Sequence, residues 1–217
     1  MIRSSRKQRE LALRQEIIFE AAEAVLAARG FHGASVDEIA KRAEVSVGTL
    51  YNFFGNKENL YTSLLERRME ELRGCVRAHV APAPRGIDKL HAAVDAIFAY
   101  CAEHERAFRV YVTASHGLEW NVLPQFGQRV FECMQAFLGE VTALSRLAVR
   151  ERSLPPIEPK LLAMSLLGTI DSFVTQWATE RRGSLRVYQQ GTHDILQALS
   201  ASRPVRKGTA TVRRLRP

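Results

Sequence analysis

Apolar residues recur along most of the chain at the three- and four-residue spacing of amphipathic α-helices. Glycine- and proline-containing breaks separate these segments, and no stretch alternates apolar and polar residues for long enough to indicate a β-strand. The sequence therefore predicts an all-α protein. The predicted helices cover about residues 15–29, 36–42, 47–54, 57–80, 87–104, 106–116, 124–152, 159–182 and 185–201.

Two of the predicted helices are short and flank a tight turn at residues 43–45. Ser35 is followed three residues later by Glu38, which is the capping-box pattern that starts a helix. Ser46 is a good N-cap for the second short helix, and Gly55 ends it. A single capping box is common in helical proteins, so the prediction depends on the whole run of caps and breaks from Ser35 to Gly55. The run as a whole predicts a helix-turn-helix, in which the second helix reads DNA.

Composition narrows the class of protein. The chain has 217 residues and is 46% hydrophobic, as expected for a soluble globular protein of one large or two small domains. No apolar run approaches the roughly 18 residues that span a membrane, and the amino-terminal residues are charged, so we expect a cytoplasmic protein without a membrane partner. The net charge is +8, but six basic residues lie within 203–216, which leaves about +2 elsewhere. Overall charge therefore gives the DNA prediction little support.

The pattern divides the chain into two folded domains and two basic ends. Residues 1–14 are predicted to form a flexible basic arm, which either contacts DNA or is a solvated terminus. Residues 15–56 form the predicted DNA-binding domain, and the long fourth helix leads from it into a second domain at 57–201. Residues 202–217 lack a core pattern and are predicted to be a disordered tail, with DNA binding, an anionic membrane surface or solubility as possible roles.

The amino-terminal pattern strongly resembles the TetR/AcrR family of bacterial transcriptional regulators over about residues 15–65. The resemblance implies a dimer whose helix-turn-helix reads operator DNA, and whose carboxy-terminal domain binds a small effector that weakens DNA binding. Repression is the commoner mode in that family. The matching residues are Phe31, Ser35, Glu38, Ile39, Ala40, Ala43, Val45, Ser46, Gly48, Tyr51, Phe54, Lys57, Glu58 and Leu60.

Several side chains around the recognition helix are predicted to contact DNA. Thr49 and Asn52 can hydrogen-bond base edges, and the resemblance makes Tyr51 a phosphate contact. Lys57 lies at the positive amino terminus of the fourth helix, where it can bind a backbone phosphate. Phe53 departs from the family pattern, which puts a contact there in doubt. The predicted DNA-binding residues are Ser35, Ser46, Val47, Thr49, Tyr51, Asn52 and Lys57.

The carboxy-terminal domain is predicted to contain an apolar cavity with few polar groups, as small-molecule sites usually do. The predicted effector is therefore apolar or aromatic, although any single aromatic side chain is as readily explained as core. The last two helices carry apolar stripes broad enough for a homodimer, which predicts a palindromic operator. The predicted effector-binding residues are Phe108, Tyr111, Trp120 and Trp177.

Two other classes of function stay open at this stage. A metal- or thiol-responsive regulator could use Cys75 with His79, four residues apart, and Cys101 with His104, three residues apart. A helical enzyme without a recognisable motif is the second alternative. The sequence contains no metalloprotease, phosphate-loop or serine-hydrolase motif. We therefore predict no catalytic residue, no bound metal and no cofactor.

Overall fold

The computed structural model describes residues 2–116, 127–180 and 184–201. Within those ranges the regular structure is entirely α-helical, which confirms the predicted fold class. The helices are α1 (Ile2–Gly33), α2 (Val36–Arg42), α3 (Val47–Phe54), α4 (Lys57–Val80), α5 (Gly86–Glu103), α6 (Glu105–His116), α7 (Gly127–Arg150), α8 (Pro159–Glu180) and α9 (Leu185–Ala201).

The amino-terminal domain consists of α1 to α3 and the beginning of α4. Its core is formed by apolar side chains that are almost completely inaccessible, among them Ile18, Ile39 and Leu50. Tyr61 on α4 belongs to the same core, and its hydroxyl donates a hydrogen bond of 3.0 Å to the backbone oxygen of Val110 on α6. The amino-terminal core is thereby tied directly to the second domain.

Helix α1 is much longer than predicted. It begins at Ile2 rather than near residue 15, so the structure places residues 2–14 in a helical extension instead of an irregular arm. Most residues of this segment are good helix formers, and Arg6 pairs with Glu10 one turn later at 3.1 Å. The side chains of residues 6–14 are all exposed, so the apolar pattern did not reveal this segment. Gly30, where the helix was predicted to stop, kinks α1 with a φ of 68°.

The carboxy-terminal domain is a bundle in which α5, α7 and α8 pack against one another, α4 packs on α5 and α7, and α9 packs on α5 and α8. Its core contains Leu90, Val94 and Phe98 of α5. Helix α5 starts very close to the end of α7, since a Cβ atom on Gly86 would lie 2.3 Å from the backbone nitrogen of Ala148.

No helix in the described parts of the chain is both long and apolar enough to cross a membrane.

Candidate DNA-binding surface and effector cavity

The two short helices are capped as predicted. The Ser35 hydroxyl accepts a hydrogen bond of 3.1 Å from the backbone N–H of Glu38 at the start of α2. The Ser46 hydroxyl accepts one of 3.0 Å from the N–H of Thr49 at the start of α3. Glu44 in the connecting turn has a φ of 54°, a left-handed conformation. The chain thus reverses within three residues, and α3 lies across α2 as in a helix-turn-helix.

The recognition helix α3 buries one face and exposes the other. Leu50 and Phe54 are buried in the amino-terminal core, whereas Asn52 is exposed and Tyr51 is 47% exposed. Asn52 and Tyr51 are therefore available to a ligand outside the domain, as predicted. Val47, one of the predicted DNA-binding residues, is half-buried and packs against the amino-terminal core.

Thr49 has a second role besides any contact with DNA. Its hydroxyl lies 2.8 Å from the Ser46 hydroxyl, so the two side chains form one polar pair at the amino terminus of α3. This end of the helix carries the partial positive charge and the N–H groups that favour an anion.

The structure explains the departure at Phe53. Its side chain is half-buried, packs against the amino-terminal core, and has its ring centre 5.9 Å from that of Phe54. An apolar side chain here extends the core instead of reaching outward. Lys57 lies nearby at the start of α4, with its ammonium group 4.5 Å from the centre of the Phe31 ring. This cation–π contact holds Lys57 beside α3.

A surface groove between α1 and the turn was not predicted. It is lined by Leu13, Arg14 and Ile17 of α1 and, on the other side, by Arg42 and Ser46. The exposed basic residue Arg42 ends α2 directly before the turn. A basic residue at the end of the first short helix is a signal that sequence reasoning could have used.

The carboxy-terminal domain contains an open cavity of about 380 Å³ between α4 and the helices that pack around it. Phe108 lines this cavity, as predicted. Trp177 does not line it and instead packs, half-buried, against the carboxy-terminal core. The side chain of Tyr111 and the whole of Trp120 lie outside the described residues. The apolar lining residues are Leu65, Met69, Leu72, Ile97, Ala107, Phe108, Val130, Met134, Phe137, Leu138, Met164, Leu167 and Ile170.

Most of the apolar lining residues are aliphatic or methionine rather than aromatic. The aromatic residues of the sequence therefore did not indicate most of the lining. The available signal was the stripe of Leu65, Met69 and Leu72 on α4, which continues past the end of the amino-terminal core. Met side chains are flexible and fit apolar ligands of irregular shape. The cavity therefore suits a long aliphatic ligand better than a flat aromatic one.

One wall of the cavity is polar and lies at the boundary with α1. Arg68 of α4 contacts three carboxylates, at 2.8 Å from Glu16, 2.5 Å from Glu23 and 2.8 Å from Glu71. The Tyr100 hydroxyl donates to the backbone oxygen of Arg68 at 3.0 Å. Both Arg68 and Tyr100 also line the cavity.

Protonation in this wall reflects the ion pairs and burial. Burial raises the pKa of Glu23, while its hydrogen bond to Arg68 acts in the opposite direction. Burial lowers the pKa of Arg68, but its hydrogen bonds to Glu23 and Glu71 outweigh that effect and raise it. Burial also raises the pKa of Tyr100, which keeps its hydroxyl protonated as a donor.

The cysteine–histidine pairs do not form a recognisable metal site. Cys75 Sγ lies 3.7 Å from His79 Nδ1, but the same Nδ1 is 2.8 Å from a backbone oxygen. Cys101 is 1% exposed and burial raises its pKa to about 12, while His104 packs on the Tyr100 ring. Among the described residues, no group of three or more histidine, cysteine or carboxylate side chains could hold a metal ion.

Known proteins share both the helix-turn-helix and the fold of the whole chain. Residues 18–64 match the family model described as bacterial regulatory proteins, tetR family. The solved structure of the fatty acid degradation regulator FadR from Bacillus halodurans is 25% identical, and the match covers 84% of this chain and 94% of that chain with a TM-score of 0.76. Residues 18–64 therefore form a DNA-binding domain of the tetR type.

Two further matches extend along most of the chain. The HTH-type transcriptional activator FasR of Mycolicibacterium smegmatis is 27% identical over 162 residues, which are 75% of this chain and 71% of that protein. FadR from Bacillus subtilis, solved in complex with stearoyl-CoA, is 22% identical with a TM-score of 0.74, and the match covers 86% of this chain and 97% of that chain. The protein is thus a DNA-binding transcriptional regulator with a carboxy-terminal helical domain.

Proposed function

We propose that this protein is a TetR-family regulator that binds a palindromic operator as a homodimer and leaves it when a long-chain acyl compound enters the carboxy-terminal cavity. Where the operator overlaps a promoter, such release relieves repression. The observation that carries the effector half of the proposal is the cavity of about 380 Å³, whose lining is mainly apolar apart from the polar wall around Arg68 and Tyr100.

The DNA-binding half involves the exposed face of α3 and the helix amino termini beside it. In the proposed complex, Asn52 and the methyl and hydroxyl groups of Thr49 meet base edges in the major groove. Tyr51, Lys57 and the capped ends at Ser35 and Ser46 contact phosphates. Support comes from the exposure of Tyr51 and Asn52, and from the position of both serines at helix amino termini.

The effector class is supported by two independent considerations. The first is the lining itself, because an alkyl chain buries apolar surface on every side and needs few polar partners. The second is that the matched Bacillus subtilis FadR has been solved with stearoyl-CoA bound. The proposed effector is therefore a fatty acyl thioester, whose chain occupies the cavity and whose polar part extends through its open side.

Dimerisation is proposed through α8 and α9. Several stripe residues that predict this interface, including Ala163, Ile170 and Val174, are buried within the chain's own core. The exposed apolar side chains are different ones, and those outside the cavity lining are Leu161 on α8 with Val187 and Ile195 on α9.

The effector proposal is tested by direct binding of acyl-CoA thioesters that differ in chain length, measured by titration calorimetry. We expect affinity to rise with chain length until the cavity is filled, and Met134→Trp to weaken binding because it fills part of the space. Phe131→Trp, which lies on the same helix as Met134 but is exposed and outside the cavity lining, is the matched control. Equal affinity for short and long chains would contradict the proposed site.

A further inference from the structure

We propose that Arg68 couples the effector cavity to the DNA-binding domain, and that an occupant of the cavity weakens DNA binding by separating Arg68 from Glu16 and Glu23 of α1. This inference rests on the proposed function, since it assigns the residue through which release occurs. The ion pairs concerned join Arg68 of α4 to α1, and any ligand that fills the cavity could separate them.

Arg68 belongs both to the cavity wall and to the contact between α4 and α1. Its side chain, only 13% exposed, lines the cavity wall on α4, and it also forms ion pairs at 2.8 Å with Glu16 and 2.5 Å with Glu23, both on α1. Helix α1 forms the framework of the DNA-binding domain, because its apolar face shares one core with α2 and α3. Arg68 therefore links the cavity wall to the DNA-binding domain, beside the Arg67–Glu16 ion pair at 3.7 Å and the Tyr61–Val110 hydrogen bond.

The neighbours of Arg68 make it responsive to an occupant. Met69 and Leu72 follow it on the same helix and line the same cavity. A ligand that fills the space pushes against these side chains and moves the α4 backbone with them. Tyr100, which also lines the cavity, donates its hydroxyl to the Arg68 backbone oxygen and senses the same occupant from α5.

Burial makes these ion pairs sensitive to small displacements. Glu23 as a residue is 8% exposed, so water does not readily replace a lost guanidinium contact. Glu71 on α4 remains near Arg68 whenever α4 moves as a unit, because the two residues are one helical turn apart. The bonds that cross to α1 are therefore the ones that break, and the DNA-binding domain loses its fixed orientation.

The test uses the full-length chain, an operator selected from random duplex DNA, and stearoyl-CoA as the effector probe. The measured quantity is the coupling ratio, which is the operator affinity without stearoyl-CoA divided by the affinity with it. Glu23→Gln removes the charge of Glu23 while keeping its shape. We expect weaker operator binding without stearoyl-CoA, tighter binding of stearoyl-CoA, and a coupling ratio lowered about fivefold or more.

Glu70→Gln is the matched control, because Glu70 pairs with Arg73 and Arg77 on its own helix and not with α1. Its coupling ratio should equal that of the wild type. If Glu23→Gln fails to fold, as judged by far-ultraviolet circular dichroism, Glu16→Gln takes its place at a more exposed position. Arg68→Lys should restore part of the ratio relative to Arg68→Met, because a lysine keeps the charge.

The outcomes separate this inference from the proposed function. If the wild type binds no duplex selectively or ignores stearoyl-CoA, the proposed function fails first. If the wild type binds and is released, but Glu23→Gln and Glu16→Gln keep the wild-type coupling ratio, the role of Arg68 is overturned while the proposed function stands. A lowered ratio in these variants and an unchanged one in Glu70→Gln support the coupling.

Discussion

At the scale of single residues, the Ser46 hydroxyl at the start of α3 both caps the helix and belongs to the proposed DNA-binding surface. The Ser46 hydroxyl caps the helix through the Thr49 N–H and also lies 2.8 Å from the Thr49 hydroxyl. If Ser46 contacts DNA as proposed, a substitution that removes the hydroxyl changes helix stability and DNA binding together. The two effects can be separated by choosing side chains that cap equally well but differ in charge.

We predict that Ser46→Asn and Ser46→Asp both keep the unfolding free energy near the wild-type value, since all three residues are good N-caps. Ser46→Ala should cost about 1 kcal/mol in thermal unfolding. Only Ser46→Asp should lose operator affinity strongly, by about tenfold or more, because its carboxylate faces the DNA phosphates. If Ser46→Asp binds the operator as tightly as Ser46→Asn does, this end of the helix does not face DNA.

Local sequence predicted the helix caps beside α3 better than it predicted the cavity lining. Caps such as Ser35 and Ser46 act on backbone groups three residues away, so their geometry follows from local sequence. Whether Phe108 or Trp177 faces a cavity depends on how distant helices pack, which no local pattern specifies. The role of Arg68 was missed for the same reason, since its partner Glu23 lies 45 residues away along the chain.

At the scale of helices, the spacing of apolar residues predicted nearly every helix. It failed at the start of α1, where the helix has no buried face. Helix α4 was predicted over the same residues that the structure shows, because its apolar stripe packs first on one core and then on the other. The first part of α1 has no such stripe, and intrinsic propensity and ion pairs such as Arg6 with Glu10 support it instead. A pattern based on burial cannot detect such a segment.

The junction of α5 with α7 depends on the missing side chain of Gly86. We predict that Gly86→Ala destabilises the protein by about 1 to 3 kcal/mol or more, because the new Cβ would lie 2.3 Å from the Ala148 nitrogen. Gly74→Ala is the matched control within α4, where a Cβ meets nothing within 4 Å, and it should stabilise by up to about 1 kcal/mol. Denaturant unfolding compares the two variants. Equal stability would contradict the close packing at Gly86.

The junction of α5 with α9 contains a histidine pair that makes stability depend on pH. His91 Nδ1 lies 2.6 Å from His193 Nδ1, and His193 Nε2 lies 2.7 Å from an Asp95 oxygen. Burial lowers the pKa of His91, and the neighbouring His193 lowers it further, whereas Asp95 and Asp88 act in the opposite direction. The folded chain therefore binds a proton at His91 less readily than the unfolded chain does.

We predict that this difference lowers the unfolding free energy as pH falls below about 6.5, the ordinary pKa of histidine. Above that pH, His91 is neutral in both the folded and the unfolded chain, so its protonation does not reduce the unfolding free energy. Below it the unfolded chain gains the proton first, which favours unfolding. In His91→Gln the decrease in unfolding free energy between pH 7 and pH 5 should be smaller, as measured by denaturant titration. A decrease as large as that of the wild type would rule out His91 as the source.

At the scale of the whole molecule, the proposed DNA-binding surface belongs to the amino-terminal domain, and the last two helices carry exposed apolar side chains. Leu161 is 59% exposed on α8 and Val187 is 70% exposed on α9, and these two helices pack against each other. A two-fold dimer through α8 and α9 would cover both side chains and would place two recognition helices on one side of the DNA.

We predict that Leu161→Glu combined with Val187→Glu shifts the chain from dimer to monomer in sedimentation velocity at micromolar concentration. The new charges would be buried without partners in the interface, which opposes association. Leu13→Glu is the control, because Leu13 is 65% exposed on α1, away from the proposed interface. The control should remain dimeric. A double variant that also remains dimeric would place the interface elsewhere.

The central claim is that one chain reads DNA and loses that ability when an acyl compound occupies its cavity. The most direct test selects bound sequences from random duplex DNA with the wild-type chain and then titrates the complex with stearoyl-CoA by fluorescence anisotropy. We predict that the selected sequences share a palindrome and that stearoyl-CoA releases the DNA at stoichiometric occupancy, while free coenzyme A does not. Selected sequences without a palindrome, or a complex unaffected by stearoyl-CoA, would contradict the account.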